Sequence, residues 1–286
     1  MRRPRPDLLA ASAFAVFLAA CGDSTGSNDP LPNNAATAVG LTVHDNVEAS
    51  LDALFPARLL QPFSTGPADD PCVTPSSTTD ADGDGVPDDA TYNFTAPPCR
   101  FNRVRDFTLD VVGQLRLVDL VPETAGFGAD ITLTGLRFEF SAEDPDQDYT
   151  LVRNGRMILT GSTAGLQVLT QGLQVQRSFT GLGDAFVDLD WQVGFTPEAT
   201  LAINQPLPSG AVSVGGTVGW SRGDEEFDLT VTTATPLHYD ASCDAAGQRL
   251  DEGELHVSGT FGDVPGHVRI TWTDCGTDPD IEFVEE

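Results

Sequence analysis

From about residue 90 to the end of this 286-residue chain, apolar side chains recur at every second position. Ala185, Val187, Leu189, Trp191, Val193 and Phe195 share one parity, against Asp188, Asp190 and Gln192 on the other. Val212, Val214, Val218 and Trp220 repeat the pattern, as do Phe227, Leu229 and Val231. An extended backbone sends successive side chains to opposite faces, so this alternation marks antiparallel strands with one buried face. Residues 104–120 and 129–141 are earlier candidate strands. Leu255, Val257 and Phe261 should pair with Val268, Ile270 and Trp272 across the turn Gly262-Asp263-Val264-Pro265-Gly266. Strands joined by short polar turns predict an all-β fold over residues 101–286. The expected form is an antiparallel meander, as a β-sandwich or a strongly curved, half-closed sheet. Roughly 185 residues suffice for one sizeable core.

Ahead of the strands the period changes. Leu41, Val47, Leu51, Leu54 and Phe55 recur at roughly helical spacing, with Asp45 or Asn46 available as caps. One short N-terminal helix is expected at about 44–55, within a segment 37–60 that packs on the β domain. Residues 22–36 are rich in Gly, Ser, Asn, Asp and Pro, which predicts a flexible linker.

The first residues carry Arg2, Arg3 and Arg5, followed by the uncharged run Leu8 to Ala20. That run is too short for a permanent membrane helix but has the length of a signal-peptide core. It ends Leu18-Ala19-Ala20-Cys21, which resembles the lipobox of bacterial lipoproteins. The resemblance implies that residues 1–20 are a signal peptide, that Cys21 carries the lipid and that the protein sits in the cell envelope. Gly22 rather than Asp at the next position implies the outer membrane. No later segment is apolar and long enough for a transmembrane helix. Acyl chains contribute ~0.8 kcal/mol per buried CH₂, so the expected membrane partner is reached by an anchor and not by a span.

Removing Arg2, Arg3, Arg5 and Asp7 from the 15 basic and 43 acidic residues leaves 12 and 42, a net charge of −30. A surface this acidic repels nucleic acid and attracts divalent cations. Every basic residue is Arg, which excludes a P-loop lysine, and with it P-loop nucleotide hydrolysis, and Schiff-base chemistry. Beyond Cys21 lie Cys72, Cys99, Cys243 and Cys275, an even number that reads as two disulfides with three possible connectivities. Nearest-neighbour pairing, Cys72–Cys99 and Cys243–Cys275, would bracket one local unit each, the first spanning residues 61–100. No C-x₂₋₄-C spacing supports zinc.

The sharpest chemical motif is Asp80-Ala81-Asp82-Gly83-Asp84-Gly85-Val86-Pro87-Asp88. Carboxylates at alternate positions converge when the backbone wraps a cation, glycine at position six supplies the turn, and the Val86 carbonyl falls where position seven ligates. The stretch resembles the calcium loop of thrombospondin type 3 repeats and the first half of an EF-hand loop. The resemblance implies a calcium site held by Asp80, Asp82, Asp84 and Asp88 through side chains and by Val86 through its carbonyl. Thr91 stands at position twelve, where an EF-hand has a bidentate Glu. The expected ion is therefore structural, with a Kd near ~10⁻⁴–10⁻³ M. A solvated acidic loop is the alternative. Asp144-Pro145-Asp146-Gln147-Asp148 echoes the motif, but Tyr149 replaces the glycine and a polar hairpin loop is expected.

Gly219-Trp220-Ser221-Arg222-Gly223 matches the G-x-S-x-G of esterases, yet a strand follows where that nucleophile needs a helix. Arg222-Gly223-Asp224 is an adhesion tripeptide too short to carry weight. The register expected for that hairpin pairs Phe261 with Val268 and Val257 with Trp272, which sets His256 opposite Thr273 and about 20 Å from His267, too far to share an ion. No catalytic residue is assigned. The expected protein is a non-enzymatic, lipid-anchored envelope β domain with a structural calcium loop. A periplasmic carrier of a lipid or other apolar ligand is the alternative, and a deep apolar cavity would favour it.

Overall fold

The computed structural model describes residues 31–54, 73, 75–94, 99–104, 107–141, 148–179, 183–203, 205–243 and 248–286. One helix, α1 (Leu31–Ala53), precedes twelve strands. These are β1 (Asp89–Asn93), β2 (Cys99–Val104), β3 (Phe107–Asp119), β4 (Gly128–Ser141), β5 (Tyr149–Ser162) and β6 (Gly165–Phe179), followed by β7 (Gly183–Pro197), β8 (Gly210–Arg222), β9 (Glu225–Tyr239), β10 (Leu250–Phe261), β11 (Val264–Trp272) and β12 (Asp280–Glu285). All lie in one antiparallel sheet in which β3 to β12 follow sequence order. β1 and β2 share the outer edge of β3, against residues 114–118 and 107–111 respectively. The chain is thus the expected meander, as one open sheet and not two packed ones.

The alternation read from sequence is the alternation of burial. Val187, Leu189, Trp191, Val193 and Phe195 are buried, whereas Phe186, on the opposite face, is 46% exposed. Trp220 and Trp272 are buried with them. One sheet with one apolar face must cover that face, and here it curls around α1. His44 meets Trp272 of β11 with ring centroids 5.8 Å apart, while the next residue, Asp45, bonds Arg177 of β6 at 2.7 Å. Five strand spacings separate β6 from β11, about 24 Å if flat, against a helix of about 10–12 Å diameter. Only a sheet wrapped around the helix brings both within reach.

Glycine bulges supply local bends. Gly113, Gly135, Gly155 and Gly172 have positive φ and fall at the register shifts of the four successive pairings from β3–β4 to β6–β7. Each bulge bends its strand and raises its twist, so a row of them across neighbouring strands gives the sheet a crease. The backbone stays satisfied there. Thr170 donates its hydroxyl to the carbonyls of Leu189 and Trp191 and accepts from Trp191 N–H, and Thr233 serves Val214 in the same way at the β8–β9 shift.

α1 is longer than the sequence suggested. It begins at Leu31, with Pro32 in its first turn where a missing N–H costs nothing, and so takes residues 31–36 from the expected linker. Its C-terminus agrees with expectation through Ala53, and residues 55–60 lie outside the described residues. The difference has a physical cause. A helix at the centre of a curled sheet is buried on nearly all sides, so its apolar stripe is diluted by polar residues that satisfy themselves. Thr42, Asn46 and Ser50 each donate to the carbonyl four residues back, at 2.8 Å. Its charged residues meet Arg177 of β6 and Arg249, which immediately precedes β10. Asp45 pairs with Arg177, and Glu48 and Asp52 both pair with Arg249, at 3.0 and 2.8 Å. Burial opposes the charge on Arg249, but Asp52 and Glu48 overcome it and hold the guanidinium above its ordinary range.

The β10–β11 hairpin corrects the expected register. Phe261 pairs with Val264 and Val257 with Val268, leaving a two-residue turn at Gly262-Asp263 with Gly262 at φ 65°. That turn brings His256 and His267 together, their rings stacked at 4.2 Å and not about 20 Å apart as expected. Two-residue turns with positive φ match strand twist, which five-residue turns do less well.

Candidate metal centre

The segment before β1 runs back along it, with Pro75 bridged to Tyr92 and Ser76 and Thr91 bonded in both directions. The loop between is closed at its neck by Asp88 N–H on the Thr79 carbonyl at 2.8 Å. Within it the backbone turns on its own aspartates. Asp80 accepts from Gly83 and Gly85 N–H, Asp82 from Asp84 N–H, and Asp84 from Val86 N–H, at 2.8 to 3.1 Å. Gly83 and Gly85 sit at φ 77° and 89°, where side chains are disfavoured. The outcome is that oxygens of Asp80, Asp82 and Asp84 all lie within 4.8 Å of one another. Asp88 accepts from Ala81 N–H at 3.0 Å and thereby closes the loop; it is not one of the three converging groups. Val86 is buried in the core cluster, which fixes the end of the loop to the sheet.

Sequence reasoning missed Asp119, the last residue of β3. Its N–H donates to the Pro87 carbonyl at 3.1 Å, so it adjoins the loop directly. Asp119 is 5% exposed. Its Oδ1 accepts from Val121 N–H, while its Oδ2 is buried with no hydrogen-bond partner, as is Oδ2 of Asp82. Burial first, then the charges of Asp84, Asp82 and Asp88, lift the Asp119 carboxyl above the usual carboxylate range, against the Val121 N–H. Desolvation, with Asp84 and Asp80, lifts Asp82 likewise. Burial leads both shifts, neighbouring carboxylates add to it, and no cationic side chain is among their causes. A signal existed. Leu109, Val111, Leu115 and Leu117 are the buried parity of β3, and Asp119 falls on it, a carboxylate where the alternation calls for an apolar residue. Asp84 further accepts from Gly126 N–H at 3.3 Å, tying the loop to the β3–β4 turn.

Oxygen donors alone suit a hard cation, and calcium tolerates the irregular geometry of six to eight such ligands where magnesium does not. Among the described residues, no other group of three His, Cys, Asp or Glu side chains converges in this way.

Cys243 and Cys275 form the expected disulfide, their Cα atoms 5.9 Å apart. Cys99 is buried and disulfide-bonded. Its expected partner Cys72, and Cys21 with the whole leader, lie outside the described residues. So do Asp144, Pro145, Asp146 and Gln147 of the weaker acidic echo. Ser221 stands near the end of β8, paired with Glu226 across the Gly223-Asp224 turn, with strand on both sides. His238 is held by Asp251 at 2.7 Å and Glu198 at 3.2 Å, and the Asp251 hydrogen bond raises its pKa. His256 bonds Glu254 at 2.7 Å. No helix of the described residues is long and apolar enough to cross a membrane. In comparisons with known proteins, the chain matches no family model, no curated protein and no solved structure.

Proposed function

We propose that this is a lipid-anchored, non-enzymatic β protein of the bacterial cell envelope, held in the outer membrane through Cys21, with a calcium ion as a structural brace at loop 80–88. The observation that carries the calcium reading is the mutual approach of Asp80, Asp82 and Asp84 within 4.8 Å on a loop that spends its own N–H groups orienting them. Three carboxylates at that separation repel one another, and a divalent cation turns the repulsion into attraction. The Val86 carbonyl and Asp88 complete the proposed set. The anchor reading is supported by the Arg-rich start, the apolar run and the lipobox-like Leu18-Ala19-Ala20-Cys21.

A carrier of apolar ligands would need an interior open to a guest. Val39, Val43, Val47 and Leu51 of α1 are buried in the core cluster with the apolar face of the sheet. An apolar groove beside the loop, lined by Leu54, Val86, Leu159, Leu166, Leu201 and Leu207, holds about 30 Å³. Small-molecule pockets run to roughly 300–1,000 Å³.

Calcium at about 100 times its Kd should stabilise the fold by about 2.7 kcal/mol, a rise of roughly 5–10 °C in melting temperature for a domain of this size. Asp82→Ala combined with Asp84→Ala should abolish that rise. A melting curve of the unaltered protein that ignores calcium would return the segment to a solvated acidic loop.

A further inference from the structure

We infer that Asp119, at the end of β3, is a ligand of the same cation, which makes the site a clasp between two distant stretches of chain and not a self-contained loop. The inference rests on the calcium reading above and deepens it. Its footing is a buried carboxylate oxygen with no donor, on a residue that also bonds the loop through its backbone at Pro87. Burying an ionised oxygen without a partner costs several kcal/mol, and β3 would be better served by an apolar residue at this buried position. Asp82, on the loop, contributes a second buried oxygen without a donor. Two such oxygens, on residues 37 apart in number, share one explanation in a cation held by both segments.

Asp119 also resolves the departure at Thr91. The loop lacks the acidic residue that closes an EF-hand at position twelve, and Thr91 is committed to β1, opposite Arg116. The missing carboxylate arrives from the neighbouring strand instead. β1 pairs with the same end of β3, Asp89 opposite Val118, so the ion would sit where the loop enters the sheet. The Gly126 N–H on Asp84 brings the β3–β4 turn into the same clasp. Five carboxylates around one ion favour a large divalent cation over magnesium, whose small octahedral shell admits fewer of them.

The test is calorimetric titration of the full mature chain with calcium, alongside its thermal unfolding. Asp119→Asn should lower calcium affinity about tenfold or more. Without calcium the same variant should melt at or above the unaltered protein, because a buried unpaired charge is gone; a purely structural Asp119 would move the calcium-free melt downward instead. Hydrogen exchange of the unaltered protein gives a readout free of any variant. Calcium should slow exchange at residues 120–126 as well as at 81–88. Unchanged affinity in Asp119→Asn, with Asp82→Asn losing it, would overturn the inference and leave the loop site standing, as would protection confined to 81–88. No uptake of calcium by the unaltered protein would overturn both.

Discussion

Arg249 joins the two ends of the chain. It reaches Glu48 and Asp52 through its guanidinium, and its own N–H donates to the Glu48 carboxylate, across 201 residues of sequence. Both Glu48 and Arg249 side chains are less than a tenth exposed. A pair this buried offers little net stability compared with two apolar residues, but breaking it strands a charge. Arg249→Ala should therefore cost about 3–5 kcal/mol in urea unfolding. A loss under about 1 kcal/mol would mean that Glu48 is hydrated after all. Nothing in the sequence around Glu48 announced its partner, because local spacing says which face a residue occupies and not which strand arrives there. The three tryptophans were legible for the opposite reason, since each lies on an apolar parity that only a core can satisfy. Asp80, Asp82 and Asp84 were legible because their geometry is set within five residues, while Asp119 depends on a strand edge that the loop must first meet.

At the scale of elements, strands were easier to read than their pairings. Period two fixed the faces of β7 to β9, but the β10–β11 register turned on whether the loop took two residues or five, and both choices keep valines inward. α1 was half-legible. Its apolar residues from Leu41 onward showed, whereas Asn46, expected as a cap, lies inside the helix, and the internal hydrogen bonds of Thr42, Asn46 and Ser50 leave no trace in composition. The glycine bulges were not legible as a set, since each is a single residue and only the register aligns them. They are testable one at a time. Gly155 has φ 127°, and a Cβ there would stand 2.5 Å from the Gly172 carbonyl oxygen. Gly155→Ala should cost about 1–3 kcal/mol through backbone strain and loss of that close approach. An unchanged denaturation midpoint would show that the crease tolerates a side chain and that curvature comes from elsewhere.

For the whole molecule, the sequence predicted one β meander and left open whether it formed two layers or one curled sheet. Alternation cannot distinguish a face covered by a second sheet from one covered by the chain's own helix. With α1 beginning at Leu31, only residues 22–30 separate it from the proposed anchor, at most about 30–36 Å of extended chain. Cys21→Ser should abolish labelling by radioactive fatty acid and release the protein from membranes; a labelled Cys21→Ser protein would end the anchor reading. The wrapping of the sheet around α1 also sets an order of events. The segment synthesised first lodges against β10, β11 and β12, which are synthesised last. Until those strands are made, Val39, Val43 and Val47 must wait, greasy and unsheltered. A chain cut short before residue 250 would leave them without the strands that shelter them.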